Sequence, residues 1–305
     1  QNFATKKAVP LTGGILLLLS IFYDFFVFKD ILITISILFI LGIISDLKVI
    51  KSSSLRFLFQ TIIIISYIYF SNLQIYDTRV QVIDRFLYNY YFNIFFVTFC
   101  ILIVVNGSNF IDGMNSLAST YYIIVLAILY KLQYFDNFII QENSFYMFHL
   151  SLIVLIFLNF KSKIFLGDSG SYILGFIFSI ILINLYLNNP QLSPFLIVLL
   201  LWYPCFENLF SILRKFNFKR SPLLADKNHL HQLIFFYIRK KYSFSILMSN
   251  NLTSCIINFV NLIILLVGSN TPSHSQTLII YITIAAILYS ILYIKLLNLK
   301  FKKNI

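Results

Sequence analysis

Ten apolar runs, near residues 11–28, 31–45, 57–71, 92–105, 117–131, 145–160, 171–187, 193–211, 243–267 and 277–294, occupy most of this chain and leave short polar segments between them. Runs of about 15 to 25 apolar residues are long enough to enter a bilayer, where a helix satisfies its own backbone. The expected fold class is therefore all-α, a polytopic membrane protein of about ten transmembrane helices forming one domain over residues 1–305. The chain opens on Gln1 rather than methionine, and one further helix upstream would make eleven. Charge agrees with this reading, since 11% of the residues are charged where a soluble domain carries roughly 25%.

The formal charge of +12 could point to nucleic acid, but its distribution argues otherwise. If the runs alternate across the bilayer, one side receives the tails and the loops 46–56, 106–116, 161–170 and 212–242. Nineteen of the 23 basic residues then fall on that side, which the positive-inside rule makes cytoplasmic. The basic excess reads as topology, with some attraction for anionic lipids, and no nucleic acid partner is expected. The three cysteines, Cys100, Cys205 and Cys255, lie far apart in apolar runs and suggest neither disulfides nor a thiolate metal site.

Acidic residues are scarce in those same loops: Asp46, Asp112, Asp168 and Asp226. Each sits among small, amide or histidine neighbours. In NGSNFIDGMNSLAS, residues 106–119, Asn106, Asn109 and Asp112 recur every three residues, so on a helix they share one face. Such a face could hold a metal ion, a phosphate or a sugar, although Asn-Gly and Asp-Gly pairs also build ordinary turns. Asp46 ends an apolar run, where the helix dipole disfavours an acid, so a partner is expected: Lys48, Lys51 or a bound cation. Lys48, Lys51 and Arg56 can pair with phosphate oxygens or serve as topological anchors. In FLGDSGS, residues 165–171, flexible backbone, serines and a helix start make a ready site for phosphate with Mg²⁺, or else a plain cap.

Gly13 and Gly14 either admit a close backbone neighbour or simply start a helix. Pro204 should kink the eighth run. Glu207, an acid inside that run, is expected to pair with Arg214 or Lys215. His229 and His231, with Arg220 and Asp226 before them, could ligate zinc, but spacing two beside basic residues favours hydrogen bonds to a diphosphate. Together these groups describe phosphoryl transfer at the cytoplasmic face on an anionic substrate that needs a hard cation.

In motif order, PLTGG at 10–14, SDLKV at 45–49, NGSNFIDGMNSLA at 106–118, FLGDSGS at 165–171 and RSPLLADKNHLHQ at 220–232 resemble the polyprenyl-phosphate N-acetylhexosamine-1-phosphate transferases, glycosyltransferase family 4. WYPCFENLFSILRK at 202–215 is similar to the branch that starts O-antigen or related surface polysaccharides, of which lipopolysaccharide is one, more than to the peptidoglycan branch. The resemblance implies a glycosyl-1-phosphate transferase of the bacterial inner membrane, Mg²⁺-dependent with Mn²⁺ as a substitute. It would move a sugar 1-phosphate from a UDP-sugar to undecaprenyl phosphate and release UMP. It implies Asp168 as the main metal ligand and Asp112, Asn106 and Asn109 around the nucleotide and metal. Asn115, Arg220, His229 and His231 fall on the substrate side, Lys48, Lys51 or Arg56 on phosphate, and Asp46 on the lipid phosphate. A homodimer is common in that family. Departures are Ser45 where the family has an acid, Asn115 and Ser116 in place of Asp and Gly, Thr5 and Ala8 in place of His and Pro, and Gln232 where some relatives have His. The alternatives are the phospho-N-acetylmuramoyl-pentapeptide transferase reaction, a transporter or flippase with charged groups near midplane, and a silent membrane scaffold.

Overall fold

The structure, a computed structural model, describes residues 9–24, 28–132, 146–217 and 228–301. Among them are thirteen α-helices and no strand: α1 (Gly13–Tyr23), α2 (Leu32–Asp46), α3 (Ser53–Ser71), α4 (Gln81–Leu87), α5 (Tyr90–Ile111), α6 (Leu117–Lys131), α7 (Tyr146–Phe160), α8 (Gly167–Asn188), α9 (Pro194–Leu200), α10 (Trp202–Asn217), α11 (Leu230–Tyr242), α12 (Ile246–Gly268) and α13 (Ser275–Phe301). Several starts are written locally in the sequence. Ser52, Asn89, Ser193 and Ser245 each accept a backbone N–H of the first turn, and Pro194 fits the first helical position after Ser193.

The expected ten or eleven spans do not stand. Among the described residues, five helices (α3, α5, α8, α12 and α13) are long and apolar enough to cross a bilayer, or six if the bent pair α9 and α10 is one span. The described residues of the runs near 11–28, 31–45, 117–131 and 145–160 form α1, α2, α6 and α7, of 11 to 15 residues. At 1.5 Å per residue these reach only about 17 to 23 Å, against a hydrocarbon core of about 30 Å. Hydropathy could not separate them from spans, because it reads composition and not helix length, and α1, α2 and α7 expose large apolar side chains such as Leu19, Ile33 and Phe157 as a span does. The fold remains all-α and multi-pass.

Helix α8 is the axis of the bundle. Nearly all its side chains from Gly167 to Tyr186 are buried, and α1, α2 and α5 pack along it. The closest approach is at Gly42 of α2, where an added Cβ would lie 2.2 Å from the Ser169 Cα. Helix α10 crosses α5, and α12 lies against α6 and α11.

The break in the eighth run is a 77° bend between Leu200 and Trp202, three residues ahead of Pro204. Pro204 sits in the first turn of α10, where a proline costs least. Its missing N–H leaves the Leu200 carbonyl free, and the Tyr121 hydroxyl donates to that oxygen at 2.9 Å. Gly13 and Gly14 do both things foreseen for them. They open α1, and their N–H groups donate to the Phe165 and Leu166 carbonyls at 3.0 and 3.2 Å, stitching α1 to the segment that begins α8.

At the far end of α5, buried Asn93 ties down the chain before it. Its Nδ2 donates to the carbonyls of Ile75 (2.6 Å) and Leu87 (2.9 Å), and its Oδ1 accepts from Ile75 N–H (3.1 Å). Asn93→Leu strands these buried groups and should cost about 2 to 4 kcal/mol. The expected readout is a lower melting temperature in detergent with function at low temperature retained; an unchanged melting temperature refutes the assignment.

Candidate active site at the start of helix α8

The first three N–H groups of α8 have no partner within the helix, and carboxylates from two other helix ends meet them. Asp46, the last residue of α2, accepts from Asp168 N–H on Oδ1 (2.9 Å) and from Ser169 N–H and Oγ on Oδ2 (3.2 and 3.0 Å). Asp112, which caps the end of α5, lies beside the Gly167 N–H. Gly167 takes φ +76, and a Cβ there would lie 2.7 Å from Asp46 Oδ2, so only glycine admits this approach. Among the described residues, Asp46 is partnered by the start of α8 rather than by Lys48 or Lys51. The same contact occupies the N–H groups that the sequence offered to phosphate.

Asp168 points the other way, into a polar cluster. Arg56 Nη1 donates to its Oδ2 at 3.0 Å and to Ser45 Oγ at 2.7 Å, while Ser45 Oγ donates to the same Oδ2. Asn109 Nδ2 reaches Oδ1 at 2.7 Å and Ser171 Oγ at 3.1 Å, and Tyr172 lies 3.4 Å from Oδ2. The Asp168 and Arg56 side chains keep 24% and 29% of their surface, so the pair remains open to a ligand. Ser45, a departure from the family pattern, joins Arg56 to Asp168.

Burial raises the affinity of two of these carboxylates for protons. Burial, and then the charge on Asp168, pushes the Asp112 carboxyl well above the usual carboxylate range. Burial likewise raises Asp46, against the lowering effect of its backbone hydrogen bonds. No group of three or more His, Cys, Asp or Glu side chains forms a closed metal cage among the described residues. Mg²⁺ does not demand one, since it keeps several waters and takes one or two carboxylates plus phosphate oxygens. Asp168, with Asp112 and the amide of Asn109 beside it, is a hard-oxygen donor set that fits such an ion.

The histidines form the adjoining wall. His229 precedes α11 and His231 lies in its first turn; the two rings stack at 5.4 Å and 6°. His231 is fully buried, and a Cβ on Gly113 would lie 2.6 Å from its Nε2, which places it one residue past Asp112. Burial pushes its imidazole down to about 3, so at neutral pH it is uncharged. His229 Nδ1 bonds Glu207 Oε1 at 2.8 Å, and Gln232 Oε1 accepts the His229 N–H at 3.2 Å. Glu207 therefore pairs with His229 rather than with Arg214 or Lys215. Arg214 instead donates to the Asn228 carbonyl and to the Tyr293 hydroxyl.

Other expected site residues stand apart. Asn106 donates to Gln60 Oε1 at 3.0 Å, one helical turn deeper than Asn109. The stretch expected as a loop from 106 is still helical to Ile111, and the turn proper is 112–116. Asn115 bonds other segments: its N–H donates to Asn250 and its Nδ2 to Ser162 and Asn251. Lys48 and Lys51 are exposed, and their side chains make no hydrogen bond or ion pair among the described residues. Arg220 and Asp226 lie outside the described residues. Sequence reasoning missed Ser45 and Gln232 as contributors. The signal for each was present as a polar residue at a place where the family pattern has an acid or a histidine.

The family model for glycosyl transferase family 4 matches residues 29–186, which carry Asp46, Arg56, Asn109, Asp112 and Asp168. A Bacillus subtilis protein named "Probable undecaprenyl-phosphate N-acetylglucosaminyl 1-phosphate transferase" is 31% identical over 136 residues, 42% of this chain and 36% of its own length. A Thermotoga maritima undecaprenyl-phosphate alpha-N-acetylglucosaminyl 1-phosphate transferase is 27% identical over 260 residues, 81% of this chain and 75% of the relative. A Dictyoglomus thermophilum phospho-N-acetylmuramoyl-pentapeptide-transferase is 33% identical over 192 residues, 59% of this chain and 60% of the relative. The aligned part thus spans little more than a third of the Bacillus relative and three quarters of the Thermotoga one.

Proposed function

Since this chain belongs to glycosyl transferase family 4, we propose that it transfers a sugar 1-phosphate, an N-acetylhexosamine 1-phosphate, from a UDP-sugar to undecaprenyl phosphate in cell-envelope glycan synthesis. The observation that carries this reading is the meeting of Asp46, Asp112 and Asp168 at the start of α8, with Arg56 and Asn109 on Asp168. The names of the relatives support the transferred group and the undecaprenyl phosphate acceptor. Basic residues beside the site, from Lys48 to Arg56 and at Arg214 and Lys215, support a cytoplasmic placement.

In this mechanism an oxygen of the polyprenyl phosphate attacks the phosphorus bearing the sugar. The bond from that phosphorus to the bridging oxygen breaks, and UMP leaves with the electron pair. A phosphate monoester with a second pKa of about 6 is largely ionised at neutral pH, so no dedicated base is needed. Mg²⁺ bound by Asp168, with Asp112 beside it, would neutralise the diphosphate and make the phosphorus more electrophilic. Asp46 holds the α8 start in place and so aims Asp168. Arg56 exchanges the Asp168 carboxylate for a substrate phosphate oxygen, which suits a guanidinium fork. His229 and His231 line the diphosphate side.

The test incubates purified protein with undecaprenyl phosphate, Mg²⁺ and a panel of radiolabelled UDP-sugars. One labelled lipid product with stoichiometric UMP is expected. If monodisperse protein yields none with any sugar while a control transferase works, the proposal fails.

A further inference from the structure

Glu207 lies on α10 with 1% of its surface exposed, and groups from two other parts of the fold converge on its carboxylate. Oε1 accepts from His229 Nδ1 at 2.8 Å and from Leu230 N–H at 3.3 Å. Oε2 accepts from the Tyr289 hydroxyl of α13 at 2.7 Å. Joining α10 to α13 does not require an acid. Phe206 and Phe210 already pack edge-on against Tyr289, and apolar contact would do that more cheaply than a desolvated carboxylate.

What the acid adds is direction. An ionised carboxylate only accepts, so the His229 proton sits on Nδ1 and faces inward. Nε2 then becomes the working nitrogen of the ring, and it makes no hydrogen bond among the described residues. Phe110 lies beside the ring at 5.1 Å and His231 stacks on it, so the plane is fixed as well. Arg214 holds the preceding residue by its carbonyl. A ring held this way presents one nitrogen, backed by a negative charge, toward the wall shared with Asp112.

We propose that Glu207 and Tyr289 are positioning residues that hold His229 with its Nδ1–H inward and the unprotonated Nε2 outward, as a hydrogen-bond acceptor for a hydroxyl of the sugar nucleotide. The identity of that ligand rests on the transferase reading; the pairing itself does not. Through Tyr289, the last helix becomes part of the substrate-binding wall.

The test compares wild type with Glu207→Gln, Tyr289→Phe, His229→Ala and the double variant Glu207→Gln/His229→Ala. Loss of an orienting partner typically costs about 10- to 100-fold, and Glu207→Gln is expected to lose that much kcat/KM, mainly through KM for the UDP-sugar. Tyr289→Phe removes one hydrogen bond and is expected to lose about 3-fold. In the His229→Ala background, Glu207→Gln should change kcat/KM by less than about 2-fold, because residues acting through one group do not add. With only four histidines in the chain, ¹⁵N-histidine spectra can assign the His229 signal by its loss in His229→Ala. Wild type should show the Nδ1–H form and Glu207→Gln should not. A multiplicative loss in the double variant, or an unchanged His229 signal in Glu207→Gln, overturns the proposal. Were Glu207→Gln to misfold, Tyr289→Phe with the same spectrum and cycle decides. Wild-type protein inactive with every UDP-sugar counts against the transferase reading alone, since the nitrogen spectra still judge the pairing.

Discussion

Asp168→Asn should abolish sugar-phosphate transfer, lowering kcat by about 1000-fold or more, while the protein stays folded. Asparagine keeps the shape and can still meet Asn109 and Ser45, but it lacks the charge that a cation or a developing phosphate geometry requires. Loss of one preorganised electrostatic partner costs about 100- to 1000-fold, and a group that also holds the metal lies at the top of that range. The ion pair with Arg56 is about a quarter exposed on each side, and such pairs contribute at most about 1 kcal/mol. Melting temperature should therefore shift little. A companion measurement separates the two roles: Mg²⁺ should raise the wild-type melting temperature and leave that of Asp168→Asn unmoved. Retained turnover in the variant would remove Asp168 from the chemistry.

Gly42→Val should be the most damaging substitution outside the carboxylates. The Gly42 Cα faces the backbone of Ser169 so closely that an added Cβ falls 2.2 Å from its Cα and 2.5 Å from its N. Neither atom can swing aside as a side-chain tip could. Overpacking in a close-packed core costs about 1 to 3 kcal/mol, and a backbone clash with two methyls added belongs at or beyond the upper end. The consequence reaches the site, because Asp46 lies one helical turn from Gly42 on the same side of α2. Pushing α2 away from α8 lifts the Asp46 carboxylate off the Asp168 and Ser169 N–H groups. The expected result is a sharp fall in monodisperse protein on size exclusion in detergent, with Gly42→Ala intermediate. Full yield and full activity for Gly42→Val would show that the two helices do not cross here.

The polar segments that stood out against the apolar background are the ones whose side chains meet. Asp46, Asp112 and Asp168 could be singled out because each is a rare acid among small or amide neighbours. Their division of labour could not. Asp46 serves the backbone of α8, Asp112 lies beside Gly167 and Asp168, and Asp168 faces the open cluster. That difference depends on which side of Gly167 each helix end arrives, a matter of distances between segments more than 50 residues apart. The Glu207 partner was misjudged for the same reason. Arg214 and Lys215 are near in sequence, whereas His229 and Tyr289 reach Glu207 from the start of α11 and from α13. Asn115, polar and next to the motif, bonds Asn250 and Asn251 of α12, a pairing between segments far apart in the sequence.

By itself the sequence determined that this is an all-α, multi-pass membrane protein with most of its few acids in polar segments. Solvation physics acts on each segment separately, so no knowledge of the neighbours was needed. How many helices cross was decided only by the tertiary structure. An apolar run does not reveal whether lipid or protein surrounds it, and α1, α2, α6 and α7 are too short to span alone. The site, too, was decided there: a helix start with unpaired N–H groups gathers carboxylates only when close-packed glycines let other helix ends reach it.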